Sequence, residues 1–473
     1  MKKTIPILAA MTLLVMAAAN IASAQNSWSF VMVGDTRDAN NTTNGMSPYL
    51  NAMAQKIASL NPQLVIVAGD LCNGNCLDTN SSLCPTNGDF SSDAMKKVYA
   101  QFFVNWKTAM QPVFDYTTHT GIPIYPVRGN HESNDTGQAP IEVLKWAYYE
   151  AFSAYLPTNG PTNGPTNDQR GFSWSLTTNN VTFVAADQYF NFDPGSTNTP
   201  WSGYHYLDQD WVTQQLRQAT SPYKIFVSHE PIFQAIGNGT GEAAVNEDAQ
   251  HFFGTNAAAI QTRANFWNEI GDAGAQIYLC GHLHLEVIAS TTNDHGHTII
   301  QLLAGNGGAP PQNYIPGPES GVTPLYNNGN VLVTNGSIVS VAGNIGFALA
   351  TVTDEKMTIQ YYSLNPTNTS PTTNSWTVAA YVTQIASARA RPTINLPFDP
   401  STGTFSYTRS DPAGTGLSYQ IEKVTDLMST WSVDAAATQT VTATTGNIQT
   451  VQVTLSGPKP LTGPKHFIRI VAQ

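Results

Sequence analysis

The chain has 473 residues, enough for about two or three domains. Only 11% of them are charged, against roughly 25% in ordinary soluble proteins, so the surface must take its polarity from Thr, Asn, Ser, Gln and Gly. A formal net charge of −11 excludes the broad phosphate-neutralising surface that a long nucleic acid requires, although a local cationic site could still hold one phosphate.

The N-terminus has the three parts of a secretory signal. Lys2 and Lys3 supply positive charge, Ile5–Ala19 an apolar run, and Ala22-Ser23-Ala24 a small-residue cleavage site. Residues 1–24 are expected to be removed, so that Gln25 opens a periplasmic or extracellular chain. An uncleaved anchor is the competing reading, and the cleavage site just after the apolar run argues against it. No later stretch is apolar for long enough to span a bilayer, so no transmembrane anchor is expected.

In chain order, Phe30–Val33 is a short apolar run ending in Gly34-Asp35. Ser47–Leu60 follows, with Tyr49, Leu50, Met53, Ile57 and Leu60 near a helical period and Ser47-Pro48 as cap and first turn. Leu64–Ala68 ends in Gly69-Asp70. Cys72, Cys76 and Cys84 lie in the Gly/Asn-rich loop beyond it, and Cys280 lies alone. Export permits disulfides, and the possible pairings of four cysteines stay open in the sequence. A zinc site in the 72–84 loop lacks a completing His or second Cys pair, so a structural disulfide is the stronger reading.

Ser92–Met110 reads as a helix, and Ile124–Val127 leads into Gly129-Asn130-His131-Glu132. Pro157–Asn167 is a short Pro/Gly repeat and reads as a surface loop. Phe172–Leu176 and Val181–Ala185 read as an antiparallel pair turning at Asn179-Asn180. Leu207–Gln218 and Arg263–Gly271 are helical candidates. Lys224–Ser228 leads into His229, and Ile277–Cys280 into Gly281-His282-Leu283-His284. Continuous apolar runs of this length fit strands buried on both faces.

The composition shifts near Ala386. Residues 386–400 carry Arg389, Arg391 and Asp399 among Pro392, Pro397 and Pro400, and read as a linker closing a main domain over 25–385. Beyond it Phe405–Tyr407, Leu417–Ile421 and Val451–Leu455 alternate, and Phe467–Val471 is continuously apolar. Residues 401–473 therefore form a small all-β, sandwich-like domain. It carries no chemistry and could contact a surface, a glycan or a protein, or cap the rest.

Five of the runs end in Asp, Asp, Asn, His and His-x-His. In α/β sheets the functional crevice lies at the carboxyl ends of strands, so these residues can converge. Carboxylates, an amide carbonyl and imidazoles form a mixed O/N set that suits Mn, Fe or Zn. His282 and His284 stand two residues apart, and in an extended segment that spacing puts them on one side. Each element is common alone; the combination in this order is specific.

The order Asp35, Gly69-Asp70, Gly129-Asn130-His131-Glu132, His229, Gly281-His282-Leu283-His284 resembles the calcineurin-like metallophosphoesterases, which include purple acid phosphatases, 5′-nucleotidases and many phosphodiesterases. The resemblance covers Trp28 to about Tyr362. It implies an α/β fold, a two-sheet β-sandwich flanked by helices, with two metals at strand ends. It further implies that Asp70 bridges both metals, that Asp35 and His284 bind the first, and that Asn130, His229 and His282 bind the second. His131, hydrogen-bonded to Glu132, would donate a proton to the leaving oxygen or stabilise its charge. A metal-bound hydroxide would then attack phosphorus in line while the metals neutralise the phosphoryl oxygens.

The family's first motif is usually Asp-x-His, its His a ligand of the first metal, whereas this chain has Asp35-Thr36-Arg37. The second motif usually ends in Asp, or in Tyr in purple acid phosphatases; here it reads Asp70-Leu71-Cys72-Asn73. A guanidinium stays charged and ligates no metal, but it can grip a phosphate in bidentate fashion. The competing reading pairs Arg37 with a nearby acid such as Asp38. The expected metal content is therefore one or two ions. The leading function is hydrolysis of phosphate mono- or diesters of small molecules outside the cytoplasm; the alternative is an exported binding or surface protein on a degenerate phosphoesterase scaffold. Specificity is expected from the loops Asn73–Asp89, Thr158–Gln169, Gly237–Gln250 and Gly305–Gly329.

Overall fold

The structure is a computed structural model describing residues 27–38, 45–73, 83–84, 92–133, 141–162, 168–190, 207–232 and 257–310, with strands and adjoining turns beyond residue 324. The expected signal sequence, the 237–250 loop, residues 163–167 and most of the 73–89 and 305–329 loops lie outside the described residues. In chain order the first strands are β1 (Trp28–Val33), β2 (Leu64–Ala68), β3 (Phe114–Asp115), β4 (Thr120–Gly121), β5 (Ile124–Val127), β6 (Trp174–Thr178), β7 (Val181–Ala185), β8 (Tyr223–Val227) and β9 (Ile277–Cys280). They continue as β10 (Glu286–Thr292), β11 (Thr298–Ala304), β12 (Leu325–Asn327), β13 (Asn330–Val333), β14 (Ser337–Ala342), β15 (Ile345–Val352), β16 (Lys356–Leu364), β17 (Trp376–Val378) and β18 (Thr383–Ala386). The helices are α1 (Leu50–Leu60), α2 (Ser92–Ala109), α3 (Ile141–Phe152), α4 (Gln209–Gln218) and α5 (Ala257–Asp272).

Two mixed sheets form the frame. One runs β17-β16-β15-β1-β2-β5, with β18 also on β16; the other runs β14-β10-β11-β9-β8-β7-β6. The motif strands are parallel neighbours in each: β1 with β2, β2 with β5, and β8 with β9. Their carboxyl ends therefore emerge along the same edge of each sheet.

Alternation explains the unbroken apolar runs. Ile225 and Val227 of β8 and Ile277 and Leu279 of β9 enter the core shared with the first sheet, where Phe30 meets Phe183 edge-on at 5.0 Å between ring centroids. Phe226 and Tyr278, between them, face the opposite side and pack with Trp211, Val212 and Leu216 of α4 and Phe266, Trp267 and Ile270 of α5. Each buried side chain of this size stabilises the fold by about 1.5–3 kcal/mol. Helices α1, α2 and α3 cover the first sheet through residues such as Met53, Ile57, Phe102, Trp106, Tyr148 and Phe152.

The helical expectations hold with shifted ends. Ser47 Oγ accepts from the Tyr49 N–H just before α1, and Asp208 caps α4 by accepting from the Trp211 N–H at 3.0 Å. Helix α3 had no expectation in the sequence. The β6–β7 pair turns at Asn179, whose φ of +49° lies in the left-handed region that Asn tolerates. Cys84 is disulfide-bonded, while Cys72 and Cys280 are buried free thiols.

The C-terminal strands are β19 (Thr393–Asp399), β20 (Thr404–Ser410), β21 (Tyr419–Val424), β22 (Ser432–Val433), β23 (Thr438–Thr445), β24 (Ile448–Thr454) and β25 (Phe467–Ala472). They form a sheet β19-β20-β24-β23 and a sheet β22-β21-β25, and Phe405, Tyr407, Ile421, Val451, Val453 and Leu455 pack together between them. Part of the stretch read as a linker is thus a strand: Thr393–Asp399 pairs with β20 despite Pro397, as an edge position allows.

Candidate metal centre

The motif residues meet where the two sheets approach. Gly34 N–H donates to Ala304 C=O at 2.6 Å, and Asp35 N–H to Gly69 C=O at 3.0 Å. A Cβ on Gly69 would lie 2.3 Å from His229 Nδ1, and one on Gly129 would lie 2.1 Å from Asp70 Oδ1. Only glycine permits this approach of backbone to side chain. Asp35, Asp70 and His282 have φ of +55°, +51° and +72°. Each such residue costs about 1–2 kcal/mol relative to ordinary backbone, and strain of this kind concentrates at functional sites.

Oxygen and nitrogen acceptors crowd together in the cleft. His229, fully buried, donates its Nδ1–H to Ala68 C=O at 2.7 Å, which fixes the tautomer and leaves a lone pair on Nε2. That Nε2 stands 2.9 Å from Asn130 Oδ1 and 3.4 Å from Asp70 Oδ1. His282 Nδ1 is 3.1 Å from the same Asn130 oxygen. Asp35 Oδ2 accepts from the His282 N–H at 2.8 Å, while its Oδ1 is buried without a hydrogen bond. Ligand atoms of Asp35, Asp70 and His229 lie within 4.8 Å of one another, all buried. A carboxylate, an amide oxygen and an imidazole lone pair repel one another unless a cation lies between them, so this donor set fits a bound divalent metal.

The electrostatics agree. Burial pushes the Asp70 carboxyl up, but His131, His229 and Arg37 together outweigh it and hold it well below the usual carboxylate range. Burial, and then the charge of Asp70, push Asp35 well above that range. Burial lowers His229, favouring the neutral imidazole that a metal needs.

Glu132 has a different task from the one expected. Its side chain is fully buried and accepts the backbone N–H groups of Gly129 at 2.9 Å, Asp70 at 3.0 Å and Cys72 at 3.1 Å. The short 3-10 turn Asn130–Glu132 turns it back onto the Gly-Asp loop. His131 Nδ1 instead stands 3.2 Å from Asn73 Oδ1, and the His131 N–H donates to Asp70 Oδ1 at 3.0 Å. Burial and the nearby Asp70 charge push the Glu132 carboxyl up to about 8; both of its oxygens nevertheless receive N–H donors, an arrangement that suits the ionised form. Glu132 is a positioning residue. Glu132→Gln puts an NH2 against at least one backbone N–H and is expected to lower stability by about 1.5–3 kcal/mol, the scale of a hydrogen bond to a charged group. Denaturant midpoints of the two proteins would check it, and an unchanged midpoint would remove the brace from the account.

Arg37 reaches across the cleft. Its Nε–H donates to Asp70 Oδ2 at 3.2 Å, one Nη1–H to Asp38 C=O at 3.1 Å, and Nη2 stands 3.1 Å from His284 Nε2. The acidic partner is thus Asp70; Asp38 contributes only its carbonyl. His284 Nδ1 lies 3.0 Å from Pro310 C=O, and burial, then Arg37, hold this imidazole well below its usual range. Contacts among the described residues therefore join all nine candidate residues in one network. Gln188 carries no sequence signal, yet its Oε1 accepts the N–H groups of His229 at 2.8 Å and Glu230 at 2.6 Å and holds that turn. Asn73 had a weak signal, standing where the family has Asp or Tyr.

Two facing sheets thus bring strand-end carboxylates, an amide and imidazoles to one place, where Asp35, Asp70 and His229 could hold a metal ion. The family model for calcineurin-like phosphoesterases matches residues 29–286; the chain belongs to that family, whose centre is dinuclear. A search of curated protein sequences returned no match. Among solved structures, a purple acid phosphatase from yellow lupin (Lupinus luteus) is similar at 15% identity and a TM-score of 0.45, covering 72% of this chain and 52% of that one. This chain thus spans about half the length of the lupin protein. PhoD is similar at 13% identity and a TM-score of 0.45, covering 77% of this chain and 72% of that one. GAP50, the anchor in the inner membrane complex of Plasmodium, is similar at 12% identity and a TM-score of 0.40, covering 77% and 90%.

Proposed function

We propose that the chain is an exported, metal-dependent hydrolase of phosphate mono- or diesters. The acceptor cluster of Asp70 Oδ1, Asn130 Oδ1 and His229 Nε2, with the unbonded Asp35 Oδ1 beside it, carries this reading. Family membership supports the reaction class. The disulfide at Cys84 supports an oxidising compartment, in line with the expected signal sequence. No helix among the described residues is long and apolar enough to cross a membrane.

Asp35, Asp70, Asn130, His229 and His282 would hold a Mn, Fe or Zn ion, which when bound would supply Lewis-acid polarisation of the phosphoryl oxygens and an activated water. His131 lies at the rim, its backbone fixed by Asp70 and its ring beside Asn73. From there it would offer a proton to the leaving oxygen. Arg37 keeps positive charge against the same cleft wall.

The test is turnover of a chromogenic phosphate monoester and of a diester by the purified chain loaded with Mn, Zn or Fe. Hydrolysis of either supports the reading. Bound metal with no turnover of either favours the second reading, a binding protein on this scaffold, for which the guanidinium drawn onto Asp70 and His284 is the motivating observation.

The C-terminal strands hold none of the ligand set, so we propose that they form an accessory unit. Because β18 pairs with β16 through Ala386, a truncation should fall after it. A chain ending before Thr393 is expected to retain hydrolysis, and a folded but inactive product would place those strands in the site.

A further inference from the structure

We propose that the Arg37 guanidinium occupies the seat of the family's first metal, so that this chain holds a single ion. The inference rests on the metal-dependent reading above. Its physical basis is the use of lone pairs. His284 has two ring nitrogens. One faces Pro310 C=O at 3.0 Å and can only donate to it, which leaves the lone pair on Nε2. That lone pair is already met by an Arg37 N–H at 3.1 Å. One lone pair cannot accept a proton donor and ligate a metal together. The same guanidinium takes Asp70 Oδ2 at 3.2 Å, the oxygen that a bridging carboxylate would turn toward the first metal. Asp70 Oδ1 stays on the other side, 3.4 Å from His229 Nε2. With an ion held beside His229, the carboxylate would lie between two cations, of which one is a side chain.

The exchange has chemical consequences. A guanidinium carries a permanent single charge and no water to ionise, so it balances Asp70 without competing for the nucleophile. Of its five N–H donors, three are engaged, by Asp70, Asp38 and His284. Among the described residues the remaining two have no recorded partner, and they could meet two phosphoryl oxygens, the bidentate pairing that guanidinium favours. The side chain is only 13% exposed and so is held in place.

The experiment loads manganese alone into stripped wild type, Arg37→His and Arg37→Ala. Bound metal per chain is measured by elemental analysis after dialysis, and electron paramagnetic resonance separates isolated from exchange-coupled ions. Wild type is expected at about one ion with an isolated-ion spectrum. Arg37→His, which supplies an imidazole in place of the guanidinium, is expected to approach about two, as in two-metal sites, with a coupled spectrum. Arg37→Ala, which only empties the seat, serves if Arg37→His fails to fold, and it too should exceed wild type. Wild type at about two coupled ions would overturn the proposal and leave the hydrolase reading standing. Wild type at one with neither folded variant taking up more would overturn it as well. Wild type binding none would sink the metal-dependent reading itself.

Discussion

Exhaustive chelation is expected to reduce phosphoester hydrolysis to background and to lower the unfolding temperature together. Both effects have one cause. Asn130 Oδ1 and Asp70 Oδ1 lie 2.9 and 3.4 Å from the His229 Nε2 lone pair, and Asp35 Oδ1 has no hydrogen bond among the described residues. With a cation these groups attract a common centre; without one they are buried acceptors facing acceptors. An ion bound only by the folded chain contributes about 2.7 kcal/mol at a free concentration one hundred times Kd, and that stabilisation disappears with the metal. The hydrolytic loss follows because the charged neighbours described in the cleft are poor at activating water: a guanidinium is no base, and Glu132 is occupied with backbone N–H groups. Calorimetry with and without chelator, alongside the rate, checks both halves. An unfolding temperature that ignores chelation would mean that the acceptor cluster is not a metal site.

Asp70→Asn is expected to cost about 10²–10⁴-fold in kcat/KM, a loss of about 3–5 kcal/mol of transition-state stabilisation, because the carboxylate that faces both Arg37 and the His229 lone pair loses its charge. Asp70 Oδ2 faces Arg37 Nε at 3.2 Å and His131 Nε2 at 3.7 Å, and Oδ1 faces His229 Nε2 at 3.4 Å, so the guanidinium and any ion held with His229 lose their counter-charge in one substitution. The amide preserves shape and can still accept the His131 N–H through Oδ1, so the fold should survive. Bound metal and kcat/KM measured on the same preparation check it. Near-wild-type turnover with metal still bound would show that Asp70 is not the shared carboxylate.

Much of this was legible in the sequence, and the reasons are specific. The runs ending at Asp35, Asp70, Gly129, His229 and His282 read as strands because both faces of each are buried, which leaves short apolar stretches that end before a helix could complete its turns. Helix α3 was missed because Leu144, Ala147, Tyr148 and Phe152 bury one side while Trp146 stands 46% exposed on another, which blurs the apolar period. Strand β19 was missed because Pro397 and the flanking prolines outweighed the alternation of Ile394, Leu396 and Phe398. At the site, residue types and spacing identified the ligand candidates, but partners across the sheets were out of reach. The Arg37–His284 contact joins residues 247 positions apart, and no local pattern encodes it. The task of Glu132 was misread for a related reason: family likeness supplied a neighbour, His131, while the turn at Asn130–Glu132 aims the carboxylate at backbone donors instead.

Metal dependence is tested directly by the rate of phosphoester hydrolysis followed as metal is titrated into stripped, full-length protein, with bound metal measured at each point. The rate is expected to start at background, rise in proportion to the ion bound and stop rising when the site is full. A rate already present in metal-free protein, or one that stays at background with the site filled, would contradict it.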